Sequence, residues 1–155
     1  MIVAVAPEPV DEELSSLECW RLLENDGVGR LATAVVDPVT SVVVPDIFPI
    51  NFHAHNGAIL FRTGPGSKLI DLTAQPAVAF QTDGHRGRTY WSVVAHGRAH
   101  RLGFDSDIEE SGILELQATH PTEKWNYVRI EVESITGIRF RRRGASRGSR
   151  PIDAG

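Results

Sequence analysis

The chain is short of several things, and each shortage removes a class of protein. It holds one cysteine, Cys19, in 155 residues. A single thiol cannot close an intrachain disulfide or supply a cysteine-cluster metal site. That usage fits a reducing compartment, and a cytoplasmic location is expected. Long apolar runs are also missing. Val42-Val43-Val44 falls far below the roughly 18 apolar residues that a membrane helix needs. Residues 1–7 are apolar but lack the basic leader of a signal peptide. No membrane partner is expected. Lysine is scarce too, with Lys68 and Lys124 standing against fourteen arginines.

What is present is ordinary. Hydrophobic residues make up 41% and charged residues 23%, which excludes collagen, coiled coil and wholesale disorder. The length suits one domain that buries enough surface to need no disulfide or metal staple.

The net charge of −4 conceals an asymmetry: residues 139–155 carry six arginines and one aspartate, a charge of +5, which leaves −9 on the other 138 residues. Residues 1–13, with Pro7 and Pro9, read as a flexible acidic arm, and 14–141 as the domain. Residues 142–155 are an Arg/Gly/Ser tail that cannot form a core and is expected to be disordered. Such tails contact phosphates electrostatically. The acidic body would repel DNA, however, which favours a solubilising tail, or one paired with Glu8, Asp11, Glu12 and Glu13, over a nucleic-acid partner.

Along the domain, Ser15 with Glu18 three residues later forms a capping box, and Leu14 can staple onto Cys19. Leu17, Trp20 and Leu23 keep helical spacing, and Gly27 is a good stop. Six β-rich segments follow: 28–36, 41–52 with breaks or an edge at Pro45 and Pro49, 59–63, 77–81, 90–102, and 125–140 interrupted near Gly137. Asp37-Pro38-Val39-Thr40 and His55-Asn56-Gly57 read as turns, and 83–88 as a polar loop. Short helices are expected over 67–73 and 105–118. Six strands with short hairpin links and few helices predict a mainly β protein, a closed antiparallel barrel that the first helix plugs or flanks.

The most informative stretch is Phe61-Arg62-Thr63-Gly64-Pro65-Gly66-Ser67-Lys68-Leu69. A strand ends, a Gly-Pro-Gly loop turns, and a helix begins at Ser67. Free N–H groups at a helix start suit a phosphate, Ser67 adds a hydroxyl, Lys68 an ammonium and Arg62 a planar fork. The spacing is not that of a Walker loop. The same pattern equally describes a plain βα turn in which Ser67 is only a cap.

The ordered set Phe48-Pro49-Ile50-Asn51-Phe52, Ile59-Leu60-Phe61-Arg62-Thr63, Gly66-Ser67-Lys68-Leu69, Ala77-Val78-Ala79-Phe80 and Trp91-Ser92-Val93-Val94-Ala95-His96-Gly97-Arg98-Ala99 resembles the pyridoxamine 5′-phosphate oxidase-like, FMN-binding split-barrel family. Its small actinobacterial and nitroimidazole-resistance-type branch is the most similar. The resemblance covers roughly residues 14–140. It implies a six-stranded antiparallel split β-barrel and a homodimer with FMN at the interface, a deazaflavin being the alternative cofactor. Carried over residue by residue, Arg62, Thr63, Ser67 and Lys68 match phosphate-binding positions. Pro49, Ile50, Asn51 and Phe52 match the strand along the isoalloxazine ring, and Trp91 and Ser92 the strand that also approaches it.

The chain departs from the oxidases proper at Ile47, where they carry an arginine, and at Leu69, where they carry a second basic residue; it also shows no Arg-x-His-like substrate segment. The implied activity is therefore flavin-dependent reduction of a small, electron-poor organic molecule rather than vitamin B6 oxidation. A non-catalytic carrier or sensor of the same fold, holding a flavin, deazaflavin or haem, is the alternative.

Other groups read as structural. His53 with His55, and His96 with His100, are pairs where a metal needs three converging ligands, so no metal is expected. Cys19 reads as a buried, inert thiol, Glu109-Glu110 as a solvated face, and Trp20 and Trp125 as packing residues. No catalytic acid or base stands out.

Overall fold

Local signals set the first element. In the computed structural model, which describes residues 11–64, 76–103 and 126–142, Ser15 caps α1 (Ser16–Leu23) and both halves of the capping box are made. The Ser15 hydroxyl accepts from the Glu18 N–H at 3.3 Å, and a Glu18 carboxylate oxygen accepts from the Ser15 N–H at 2.9 Å. That backbone hydrogen bond, with the one from the Ser15 hydroxyl, holds the Glu18 carboxyl below its usual value. The helix ends at Glu24, whose N–H donates to the Trp20 carbonyl; Gly27, expected as its stop, instead opens the next strand.

Seven strands follow the chain order β1 (Glu12–Leu14), β2 (Gly27–Val36), β3 (Val43–His55), β4 (Ala58–Thr63), β5 (Ala77–Arg86), β6 (Thr89–Arg101) and β7 (Asn126–Arg141). The sheet order is β1-β7-β4-β3-β2-β5-β6, and β6 also pairs with β7, so six strands close a ring. Every pairing is antiparallel. The expected six-stranded barrel is therefore present, with β1 as an extra strand in what reads from sequence as a loose arm.

Period-two alternation decides which side chains face inward. On β6, Val93, Ala95 and Ala99 are buried while His96, Arg98 and His100 are exposed; on β7, Val128 and Ile130 are buried and Glu131 is exposed. Phe52 and Phe80 meet edge to face inside the ring, 4.9 Å between centroids. Cys19 and Leu23 seat α1 against this core. Burial pushes the Cys19 thiol up, which agrees with an inert packing residue.

Of the two readings of Pro45 and Pro49, the edge holds: β3 runs unbroken past both, and among the described residues its pairing with β4 covers only residues 52–55. Two other sequence expectations change. β5 continues through Asp83-Gly84-His85-Arg86 rather than stopping at Gln81. Arg86 pairs with Thr89 across a two-residue turn in which Gly87 takes φ 60°, as a type II′ hairpin requires. β7 is not interrupted at Gly137; its irregularity lies at Glu133, an extra residue opposite the junction of His96 and Gly97. The Asn56-Gly57 turn holds, with φ 48° and 71°. The helices expected over 67–73 and 105–118, the arm before residue 11 and the tail after 142 lie outside the described residues.

Gly97 is the tightest point of the ring, since a Cβ there would run into the Glu131 carbonyl. Gly97→Ala is expected to cost about 1–3 kcal/mol and to lower the melting temperature by several degrees, read by circular dichroism. Ser15→Ala removes the cap and is expected to cost about 1 kcal/mol near neutral pH. Glu18 titrates lower when folded, so its contribution is present above the carboxylate range and is lost as the pH falls through that range. The gap between Ser15→Ala and the parent therefore narrows in acid, which melting curves from pH 7 to about pH 3 would read.

Candidate functional site

The seam between β3 and β4 closes over four residue pairs, from His55↔Ala58 to Phe52↔Phe61, and then stops. Beyond that point β4 stays with β7 as far as Thr63↔Asn126, while β3 stays with β2 as far as Val36↔Val43. The ring is split there. Pro49, Ile50 and Asn51 form one lip, and Arg62 and Thr63 the other. Among the described residues the β3 edge at 49–51 has no strand partner on the β4 side, and backbone N–H and C=O groups need one.

Within the lips, Ile50 and Phe52 turn into the core, and Pro49 and Asn51 face out. Thr63 is buried and its hydroxyl donates to the Gly64 carbonyl at 3.2 Å; the Asn126 amide donates to the same oxygen at 3.5 Å. Those two bonds fix the corner where β4 leaves the barrel. Ser67 and Lys68 lie outside the described residues.

Trp91 and Ser92 are not at this seam. They sit on β6, between β5 and β7, across the ring from β3 and β4. They also face opposite ways, since Trp91 packs against the core cluster and alternation turns Ser92 outward.

Beside the lips, the His53 Nδ1 stands 2.8 Å from the Asp26 carboxylate. The pair ties the loop before β2 to β3. The His53 Nε2 is buried and makes no hydrogen bond among the described residues. His53 and His55 stack at 5.9 Å. Among the described residues no group of three His, Cys, Asp or Glu side chains could hold a metal ion, and no helix is long and apolar enough to cross a membrane.

Sequence reasoning missed a second feature. A cleft of about 620 Å³ opens between the end of α1 and the β5–β6 hairpin, with Leu22, Asn25, Phe52, Arg86, Trp91 and Arg139 among its walls. Reading 83–88 as a loop hid it, because residues 83–86 of that wall are strand and only 87–88 are turn. The available signal was Gly84 opposite Trp91: a Cβ at residue 84 would stand 2.6 Å from the indole Cζ2, so the glycine lets the ring lie on the β5 backbone.

A closed antiparallel ring in which the β3–β4 ladder stops after four pairs defines a split barrel. Within that class the chain belongs to the pyridoxamine 5′-phosphate oxidase family, whose sequence profile matches residues 15–139. It is similar to the FAD-binding protein of Mycobacterium smegmatis, at 36% identity and a TM-score of 0.70, over 84% of this chain and 99% of that one. An FAD-binding protein of Mesorhizobium loti is similar at 26% identity and a TM-score of 0.69, over 84% of this chain and 98% of that one. An uncharacterized protein of Mycobacterium tuberculosis is 39% identical over 83 residues, 54% of this chain and 76% of that protein.

Gly84→Ala is expected to lift Trp91 off β5 at a cost of about 1–3 kcal/mol. Near-UV circular dichroism would show the loss of an immobilised tryptophan signal, and an unchanged spectrum would contradict the seat described.

Proposed function

We propose that the chain is a flavin-dependent oxidoreductase that holds FMN at the split seam, in a homodimer, and reduces a small electron-poor organic molecule. The observation that carries the reading is the interrupted seam. It leaves the β3 edge at Pro49–Asn51 unpaired directly across from Arg62 and Thr63, in a chain whose relatives include proteins named for FAD binding. A free strand edge fits the polar rim of a flavin ring, which carries both donors and acceptors, and Arg62 at the end of β4 fits a phosphate.

Each residue has a role in this reading. The β3 backbone at residues 49–51 orients the ring, and Ile50 and Phe52 anchor that strand in the core. Arg62, Thr63, Ser67 and Lys68 hold the phosphate. Ser92, on the outer face of β6, is contributed by the second protomer. A bound flavin supplies the hydride chemistry, and the protein supplies position and electrostatics. A deazaflavin, or FAD in place of FMN, uses the same lips.

The second protomer is supported by exposed apolar surface. Val35, Val36, Val42, Val43, Val44 and Ile47 are all exposed and lie along the free stretch of β2 and β3. Exposed apolar residues beside the seam support a contact there, and in this reading the cofactor sits at that contact.

Titration of the purified chain with FMN, FAD and a deazaflavin, followed by fluorescence, tests the reading. Micromolar binding of one of them is expected, and Lys68→Ala should weaken it about tenfold, the size of one charge-assisted hydrogen bond. Sedimentation should report a dimer, and Ile47→Asp should favour the monomer. Failure of all three cofactors to bind at tens of micromolar would remove the proposal. Oxidation of the bound, reduced cofactor by a nitroaromatic acceptor separates an enzyme from a carrier or sensor.

A further inference from the structure

The cleft at the β5–β6 hairpin has walls that select a ligand by themselves. Its volume of about 620 Å³ falls inside the range of small-molecule sites. Trp91 is half-buried. One face of its indole lies on Gly84, so that face is taken and the ring is held flat. Leu22 and Phe52 add apolar wall nearby. A rigid indole backed on one side is a stacking surface for a planar ring.

The charges settle the rest. Asp83 lines the cleft, but its carboxylate accepts from Arg30 at 3.3 Å and from the Gln81 amide at 2.8 Å. Arg139 lines it too, and is held between Glu12 at 3.3 Å and Glu18 at 3.8 Å. The Thr82 hydroxyl donates to the Val28 carbonyl. The His85 ring stacks on Tyr90 at 5.0 Å. Among the described residues the Arg86 guanidinium, the Asn25 amide, the Thr89 hydroxyl and the Trp91 indole N–H of the walls make no side-chain hydrogen bond or ion pair. All four can donate, and one carries a positive charge.

We propose that this cleft binds a planar aromatic anion, with its ring stacked on Trp91 and its carboxylate or phosphate on Arg86. The inference goes beyond the flavin reading and stands on the cleft alone. The same chemistry, a flat ring with an anionic group, is shared by aromatic carboxylates and by FMN, so both are probed.

Calorimetric titration of the full-length chain with 2-naphthoate and with the neutral 2-naphthamide tests it. Naphthoate should bind at least tenfold more tightly than the amide. Arg86→Gln, at an exposed position that leaves the fold intact, should bring naphthoate down to the level of the amide. Trp91→Leu should weaken both ligands together. Because Trp91 also touches the core, Arg86→Gln carries the test if that variant unfolds. Equal affinity for the two probes, or no effect of Arg86→Gln, would overturn the proposal. Displacement of naphthoate by FMN, with FMN itself weakened by Arg86→Gln, would assign the cleft to the cofactor and overturn it as a separate site. Naphthoate binding in a chain that takes up no flavin would uphold it while the flavin reading fell.

Discussion

A β-barrel closes only when each strand finds hydrogen-bonding neighbours on both sides, and here two seams, β2–β5 and β3–β4, each pair over four positions. Past its four pairs β3 parts from β4. The candidate site follows from where that pairing ends. Among the described residues the strand beyond it keeps one neighbour, β2, and so tolerates Pro45 and Pro49, residues a fully paired strand would reject. The same edge exposes backbone donors and acceptors next to Arg62, a planar cation. A closed ring would be more uniformly satisfied and would offer no such place.

The closed part of the ring is held by close approaches that only glycine allows. Gly29 takes the Phe80 ring against its backbone, Gly137 takes the Cys19 sulfur, and Gly97 meets the Glu131 carbonyl at the bulge. The bulge at Glu133 also places that carboxylate 3.6 Å from Arg98, on the outer face. Arg139 works differently. It pairs with Glu12 across β1 and β7 and reaches Glu18 on α1, so one guanidinium joins the acidic N-terminal segment, the helix and the last strand. These pairs are partly exposed and each adds little alone. Through them Arg139 meets Glu12 on β1 and Glu18 on α1 at one point of the fold.

The sequence made some elements legible and hid others for physical reasons. The Ser15–Glu18 box and the Asn56-Gly57 turn are local and carry their own chemistry, so spacing alone found them. β2, β5 and β6 alternate over part of their length because one face meets the core, whereas β4 is a continuous apolar run and is legible from its composition. Residues 83–86 do not alternate, since that part of the hairpin projects beyond the core and its polar composition resembles a loop. β1 is three residues long and is defined only by its partner on β7. Residues 49–51 and 62–63 are visible in the sequence as strand segments, yet nothing local says that β3 and β4 part after Phe52↔Phe61. That is a matter of register, and register depends on where a ladder ends.

Register also decides how two sets of residues can meet. In the ring order β7-β4-β3-β2-β5-β6, the β3–β4 seam lies directly opposite the β5–β6 seam. Groups on one seam therefore cannot reach the other across a core filled by Phe52, Phe61 and Phe80. Ser92 can serve a cofactor held at the β3–β4 seam only if a second copy brings it there. The apolar stretch of β2 and β3 borders that seam, so the surface proposed to join two protomers and the edge proposed to hold the cofactor are parts of one strand pair. Trp91, turned inward on β6, is then left to its own cleft, where Gly84 and Arg86 rather than the seam determine what binds.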